Sequence, residues 1–278
     1  MKKNLKTTLE NILEKQIITE IHGTGKIKTI SGEEYFLKSN TSSNAYSCEA
    51  NGLKELSKTN QFIIPTVYSV GDNYILTEFI ESGKIAPPFY EEFGCKLAKM
   101  HHFQGPHYGF YEDNYIGDTI QLNIPSEEEK KSWTSFFFNK RLLFQYTLAE
   151  KNGNVTSKLK KGFKRLESRI DDILKDSIEP PTLMHGDLWS GNYLCDKAGN
   201  PVLIDPAVYY GHREADLAMT KIFGGFSPAF YKAYMDEFPL SDGWEYRESI
   251  YKLYHILNHL NLFGKSYLLE AEYLLSKI

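Results

Sequence analysis

Apolar positions recur along this chain at two periods, and the architecture changes where the period does. Leu5, Leu9, Ile12 and Leu13 stand at helical spacing and predict a short amphipathic helix over residues 5–15. Residues 19–30 and 34–38 read as strands joined by Ser31-Gly32, and residues 45–58 return to a helical pattern. After the apolar run Phe62-Ile63-Ile64, strands at 67–70 and 74–79 flank a Gly71-Asp72-Asn73 turn. Beyond Glu81-Ser82-Gly83 and Pro87-Pro88 the pattern is mostly helical, over 89–103, 133 to about 152, 156–175, 215–223, 228–238, 244–263 and 267–278. Residues 105–123 are rich in Gly, Tyr and Asn without periodicity, and read as a loop. The expectation is an α+β fold in two lobes: residues 1–80 with an antiparallel sheet and helix, and residues 81–278 mainly helical.

One stretch fits neither period. It runs from His185-Gly-Asp-Leu-Trp-Ser-Gly-Asn192 to Val202-Leu-Ile-Asp205. Its segments 193–196 and 202–205 read as a hairpin, with Pro201 acceptable at a strand's first position. Centred on Ala198-Gly199, the hairpin sets Asn192 opposite Asp205, at a Cα separation of roughly 4.5–5.5 Å. Asp187 is a candidate to accept or orient a proton, while Asn192 and Asp205 offer hard oxygens suited to Mg²⁺. A bare Asp-x-x-x-x-Asn is common, and Asn and Asp both favour strand ends. The joint pattern matches the catalytic loop and metal-binding Asp of protein kinases, with His-Gly-Asp for His-Arg-Asp and Pro206-Ala207 where they have Phe-Gly. It predicts a bilobal, protein-kinase-like fold.

Other parts of such a site have candidates. Glu49 shares a helix face with Leu53 and Leu56, where an unpaired carboxylate would be costly, so a cation is expected beside it. Lys38, ending the apolar strand Tyr35-Phe36-Leu37, is the candidate, and the pair would position nucleotide phosphates. The segment His22-Gly23-Thr24-Gly25 lies where a phosphate-covering loop would, although a plain turn is the simpler reading of Gly23 and Gly25. Glu78, Phe79 and Ile80 form the link whose backbone could hydrogen-bond an adenine. Asp216 stands near a helix start, either as an ordinary N-terminal carboxylate or as an anchor for the catalytic loop. His101 and His102 read as helix-end caps, and His255 and His259 as core.

Composition narrows the class. The 278 residues are 41% hydrophobic and 24% charged, ordinary for a globular protein, with 19 Tyr and 17 Phe available for a large core and a stacking pocket. A net charge of −4 gives no electrostatic reason to expect nucleic acid. The three cysteines are far apart and suggest neither a disulfide framework nor a zinc site, which fits a reduced, cytoplasmic protein. The start is basic without an apolar run after it, and no stretch of about 20 apolar residues is present, so neither a signal peptide nor a membrane partner is expected.

With these residues in view, the chain resembles the fructosamine kinases, or ketosamine-3-kinases, of the aminoglycoside-phosphotransferase-like superfamily. The resemblance rests on His185–Asn192, Ile204-Asp-Pro-Ala207, Tyr209-Tyr-Gly-His-Arg-Glu-Ala-Asp-Leu-Ala-Met219, Phe223-Gly-Gly-Phe226 and the segment 253–264, with support from 116–123 and Arg141-Leu142. It implies phosphorylation by ATP and Mg²⁺ of the 3-hydroxyl of a ketosamine, a fructosamine, ribulosamine or erythrulosamine on a free amine or a protein lysine, as in protein deglycation. It further implies Asp187 as catalytic base, Asn192 and Asp205 as Mg²⁺ ligands, Lys38 with Glu49 as phosphate clamp, and Trp189 and His185 beside the substrate. His212 stands where many members have Asp. Competing readings are a kinase of the aminoglycoside or choline type, and a nucleotide-binding scaffold without turnover.

Overall fold

The computed structural model describes residues 2–19, 21, 23–39 and 45–278. The small lobe holds helix α1 (Lys2–Leu13) and strands β1 (Gly25–Lys28), β2 (Glu34–Ser39), β3 (Val67–Gly71) and β4 (Tyr74–Glu78), with helix α2 (Ala45–Ser57) inserted. The strands form one antiparallel sheet in the order β1-β2-β4-β3. Strand alternation gives its two faces separate work. Tyr35, Leu37, Tyr74 and Leu76 pack with Leu9 of α1 into a small core. Phe36, Lys38 and Thr77, one residue out of step, point to the cleft between the lobes.

The large lobe begins with α3 (Phe89–Met100), which packs on α9 (Pro228–Glu237). Gly94 makes that approach possible, because a Cβ there would stand 2.2 Å from the Phe230 carbonyl oxygen. Residues expected as an aperiodic loop contain a small hairpin, β5 (Asn114–Ile116) and β6 (Thr119–Gln121). The long helix from Trp133 is α4 (Trp133–Phe137) and α5 (Phe144–Lys151) joined through a π-helical turn, Phe138–Leu143. Arg141 in that turn is fully buried, with its guanidinium over the Tyr209 ring and bonded to Asn123 Oδ1 at 2.6 Å. The next predicted helix is broken into α6 (Ser157–Glu167) and α7 (Ile170–Leu174).

Two short ladders carry the cleft floor: β7 (Thr182–Met184) with β10 (Tyr209–Gly211), and β8 (Tyr193–Cys195) with β9 (Pro201–Leu203). Helices α8 (Glu214–Thr220), α10 (Trp244–Phe263) and α11 (Leu268–Ser276) complete the lobe. Among the described residues, no helix is long and apolar enough to cross a membrane.

Candidate active site

The cleft floor is the turn after β7. Gly186 has φ +82°, and a Cβ there would stand 2.0 Å from the Ala207 carbonyl oxygen, so this position in His-Gly-Asp needs glycine. Asp216, buried in the first turn of α8, accepts from the His185 N–H at 2.7 Å and the Gly186 N–H at 2.8 Å. Burial would raise the Asp216 carboxyl, but hydrogen bonds and the charges around it hold it below its ordinary range. His101 Nε2 lies 3.3 Å from the same carboxylate and its Nδ1 2.7 Å from Tyr234 Oη. His101 is thus the C-cap of α3, as expected, and a buried brace as well.

His185 is also fully buried, with Nε2 3.0 Å from the Ile204 carbonyl oxygen and Nδ1 3.3 Å from the Asp187 N–H. It ties the turn to the hairpin and reaches no open surface, which corrects the expectation that it lies beside a substrate. Asn192 Nδ2 donates to the Asp187 carbonyl oxygen at 2.7 Å and to its Oδ2 at 2.9 Å. Burial pushes the Asp187 carboxyl up to about 7 against the Asn192 hydrogen bond, with Asp205 adding to the rise.

Asn192 and Asp205 line one cavity but are not paired across the hairpin as expected. The register pairs Tyr193 with Leu203 and Cys195 with Pro201, so Asn192 lies opposite Ile204, whose N–H reaches the Asn192 carbonyl at 3.1 Å. The loop has three residues because Asp196 Oδ1 takes the Asn200 N–H at 2.7 Å and Gly199 adopts φ +90°. Asp205 lies past the ladder at φ +54°, and its carboxylate contacts Lys38 Nζ. Lys38 Nζ also stands 2.7 Å from Glu49 Oε1, the partner expected for that carboxylate. Burial works against the Lys38 charge, but the two carboxylates raise its pKa. Burial pushes Glu49 up to about 7, opposed by Lys38 and reinforced by Asp205.

Two cavities share this cluster as a wall. One, of about 210 Å³ and mostly apolar, is bounded by Phe36, Thr77, Glu78, Phe79 and Ile80. The other, more polar, is bounded by Asn114, Tyr115, Asp187, Trp189 and Asn192. Glu78 turns its carboxylate to Thr66, and Lys26 Nζ lies 4.4 Å over the Phe79 ring. The glycine segment does not join this group. Gly25 belongs to β1 opposite Leu37, and neither it nor Gly23 bounds either cavity. His22 lies outside the described residues. Phe223, counted in the sequence only toward the resemblance, is held at φ +58° before Gly224-Gly225, and its ring meets Trp189 edge-on at 5.7 Å.

All 278 residues, 1–278, match the family model described as fructosamine kinase. The chain belongs to the fructosamine kinase family. It is 41% identical over 262 residues to a protein of Enterococcus faecium named probable ketoamine kinase, covering 92% of this chain and 91% of that one. It is 39% identical to the chloroplastic protein-ribulosamine 3-kinase of Oryza sativa subsp. indica, covering 86% of this chain and 70% of that one. The crystal structure of a Thermobifida fusca protein named for the fructosamine-3-kinases superposes with a TM-score of 0.87 at 27% identity, covering 98% and 97% of the two chains. The choline kinase LicA of Streptococcus pneumoniae, at 15% identity and a TM-score of 0.66 over 99% of each chain, shares the kinase-like fold.

In this fructosamine kinase, the oxygen donors suit a hard cation. Because Asn192 commits its amide nitrogen to Asp187, its side-chain oxygen is the atom left to meet a cation in the cavity that Asp205 also lines. Among the described residues no three His, Cys, Asp or Glu side chains gather as a metal cage. Two oxygen ligands are the usual protein share for Mg²⁺, which fills its octahedron with phosphate and water.

Proposed function

We propose that this fructosamine kinase transfers the γ-phosphoryl group of ATP to the 3-hydroxyl of ketosamines, namely fructosamine, ribulosamine or erythrulosamine adducts of amines or protein lysines. One observation carries the reading: Asp187, held by Asn192, faces the polar cavity, while Lys38, Glu49 and Asp205 form the wall it shares with the apolar one. The names of the relatives, ketoamine kinase and protein-ribulosamine 3-kinase, support the acceptor class. The lobes divide at 1–80 and 81–278, and the protein acts in the cytoplasm.

Adenine lies in the apolar cavity against the Glu78–Ile80 backbone, with Lys38, oriented by Glu49, on the phosphates. Mg²⁺ held by Asn192 and Asp205 supplies charge neutralisation at the phosphates. The ketosamine enters beside Trp189. Its 3-hydroxyl donates to Asp187, the oxygen forms a bond to the γ-phosphorus, the bond to the β,γ-bridging oxygen breaks, and the proton passes to Asp187 as ADP leaves. A carboxylate whose pKa lies near 7 in the unliganded cleft is suited to exchanging that proton. Asp216 acts at one remove by fixing the turn that carries Asp187.

The test is ADP release from Mg·ATP with ribulosyl-lysine, fructosyl-lysine, choline and an aminoglycoside. Ketoamine-dependent turnover is expected, and relative kcat/KM names the preferred sugar. Turnover only with choline or the aminoglycoside would discard the acceptor class, and bound ATP without turnover on any acceptor would point to a scaffold.

A further inference from the structure

Helix α2 carries Glu49 and packs on β3 and β4 of its own lobe, but one of its faces turns to the large lobe. Cys48, Asn51, Gly52 and Glu55 recur every three or four residues, so they share a face. Every one of them meets the large lobe. Cys48 Sγ lies 3.4 Å from the Asp113 carbonyl oxygen, and Asn51 Nδ2 donates to Glu112 Oε1 at 2.9 Å. A Cβ on Gly52 would stand 3.0 Å from Pro206 Cγ, the residue after Asp205. Glu55, buried, accepts from Tyr210 Oη at 2.8 Å. Leu56 packs into the large hydrophobic core and is absent from the small one. Tyr210 itself is fixed, since β10 pairs with β7 and its backbone exchanges hydrogen bonds with Gly109. Its phenol stays protonated, because burial and Glu55 both push its pKa up.

From this we infer that α2 is anchored to the large lobe as well as to its own sheet, with Tyr210 and Glu55 as positioning residues that hold Glu49 over the cleft. The Lys38–Glu49 bond, already made at 2.7 Å, then joins the sheet to an anchored helix, and the clamp needs no swing of α2. The inference deepens the proposed function, since it rests on the nucleotide role given there to Lys38 and Glu49.

Nucleotide affinity is the readout, because it needs no acceptor sugar. Tyr210→Phe removes only the hydroxyl, and losing a hydrogen bond to a buried carboxylate predicts a rise of about tenfold in both the Mg·ATP dissociation constant and the KM for ATP. At saturating ATP, kcat should stay within about twofold, a split that general destabilisation would not produce. Glu55→Gln keeps an acceptor for Tyr210 and should restore affinity to within about threefold of wild type. The second arm joins α2 to the large lobe, using a short thiol–thiol crosslinker on Asn51→Cys/Glu112→Cys in a Cys95→Ser background. Crosslinked protein is expected to keep its Mg·ATP affinity and turnover. Loss of either on crosslinking, or unchanged affinity in folded Tyr210→Phe, overturns the inference and leaves the reaction assignment standing. If Tyr210→Phe does not fold, the crosslinked protein decides alone. Wild-type protein that binds no Mg·ATP would remove the nucleotide reading and this inference together.

Discussion

Asn192 holds Asp187 by two hydrogen bonds from one amide group, 2.7 Å to the carbonyl oxygen and 2.9 Å to Oδ2. The five-residue separation thus closes on itself. Asp187, Asn192 and Asp205 line the same polar cavity. A single side chain couples the proposed proton acceptor to the proposed metal site, so the two functions have to be separated by mutation.

Asp187→Ala removes the proton acceptor and leaves both proposed metal ligands. The expected result is a kcat at least ~100-fold lower, about 2.7 kcal/mol of barrier, with little change in Mg·ATP affinity. Steady-state kinetics beside a nucleotide titration check it. A variant turning over near the wild-type rate would defeat the assignment.

Asp205→Asn tests the metal side with little disturbance of the backbone. Asp205 sits at φ +54°, a left-handed conformation that asparagine also accepts readily. The substitution removes the charge facing Lys38 while keeping an oxygen in place. Mg²⁺ should then no longer strengthen ATP binding, as read by titrating nucleotide with and without the metal. The same gain from Mg²⁺ in variant and wild type would exclude Asp205 as a ligand.

Gly186→Ala is predicted to damage the fold before the chemistry. A Cβ would be forced to 2.0 Å from the Ala207 carbonyl oxygen, on a residue at φ +82° and between groups that Asp216 holds. Backbone at that distance cannot yield cheaply, so a loss of at least ~2 kcal/mol in unfolding free energy is expected. Urea unfolding measures it, and an unshifted midpoint would show that the turn can relax.

The sequence made some of this site legible and hid the rest for identifiable reasons. Glu49 announced a partner because a carboxylate on an apolar helix face needs one, and Lys38 supplies it. The hairpin after Asn192 was visible from its apolar segments, but its register was misjudged by one residue. Loop length there depends on the Asp196 carboxylate taking the Asn200 N–H, a tertiary detail that strand periodicity does not carry. Gly23 and Gly25 read more simply as a plain turn than as a phosphate loop, and Gly25 begins the β1–β2 ladder. The β5–β6 hairpin escaped notice because its strands are three residues each, too short to display alternation. His101 caps α3 as its position suggested, but its burial was hidden because its partners Asp216 and Tyr234 lie more than a hundred residues away.

Acid should unfold this protein from a higher pH than its carboxylates alone would dictate. Burial lowers the pKa of His101, His185, His212 and His259, and that of His255 to about 3. The ionised groups acting on them are Asp216, Glu179 and Arg213 at His101, Asp216 and Asp205 at His185, Glu214, Glu179 and Arg213 at His212, Glu270 at His259, and Asp216 against Arg141 at His255. A histidine with a depressed folded pKa binds more protons when unfolded, so each removes up to ~1.4 kcal/mol of stability per pH unit below about 6.5. Asp187 and Glu49 act in the opposite sense. Their carboxyls, near 7 when folded, take up protons that the unfolded chain does not bind until about pH 4. His255 has the lowest folded pKa given for the five and carries the clearest difference. His255→Gln, which has no proton to gain, should lose less stability than wild type as the pH goes from 6.5 to 5, read as the change in urea midpoint. The same change in both proteins would show that His255 is not held neutral.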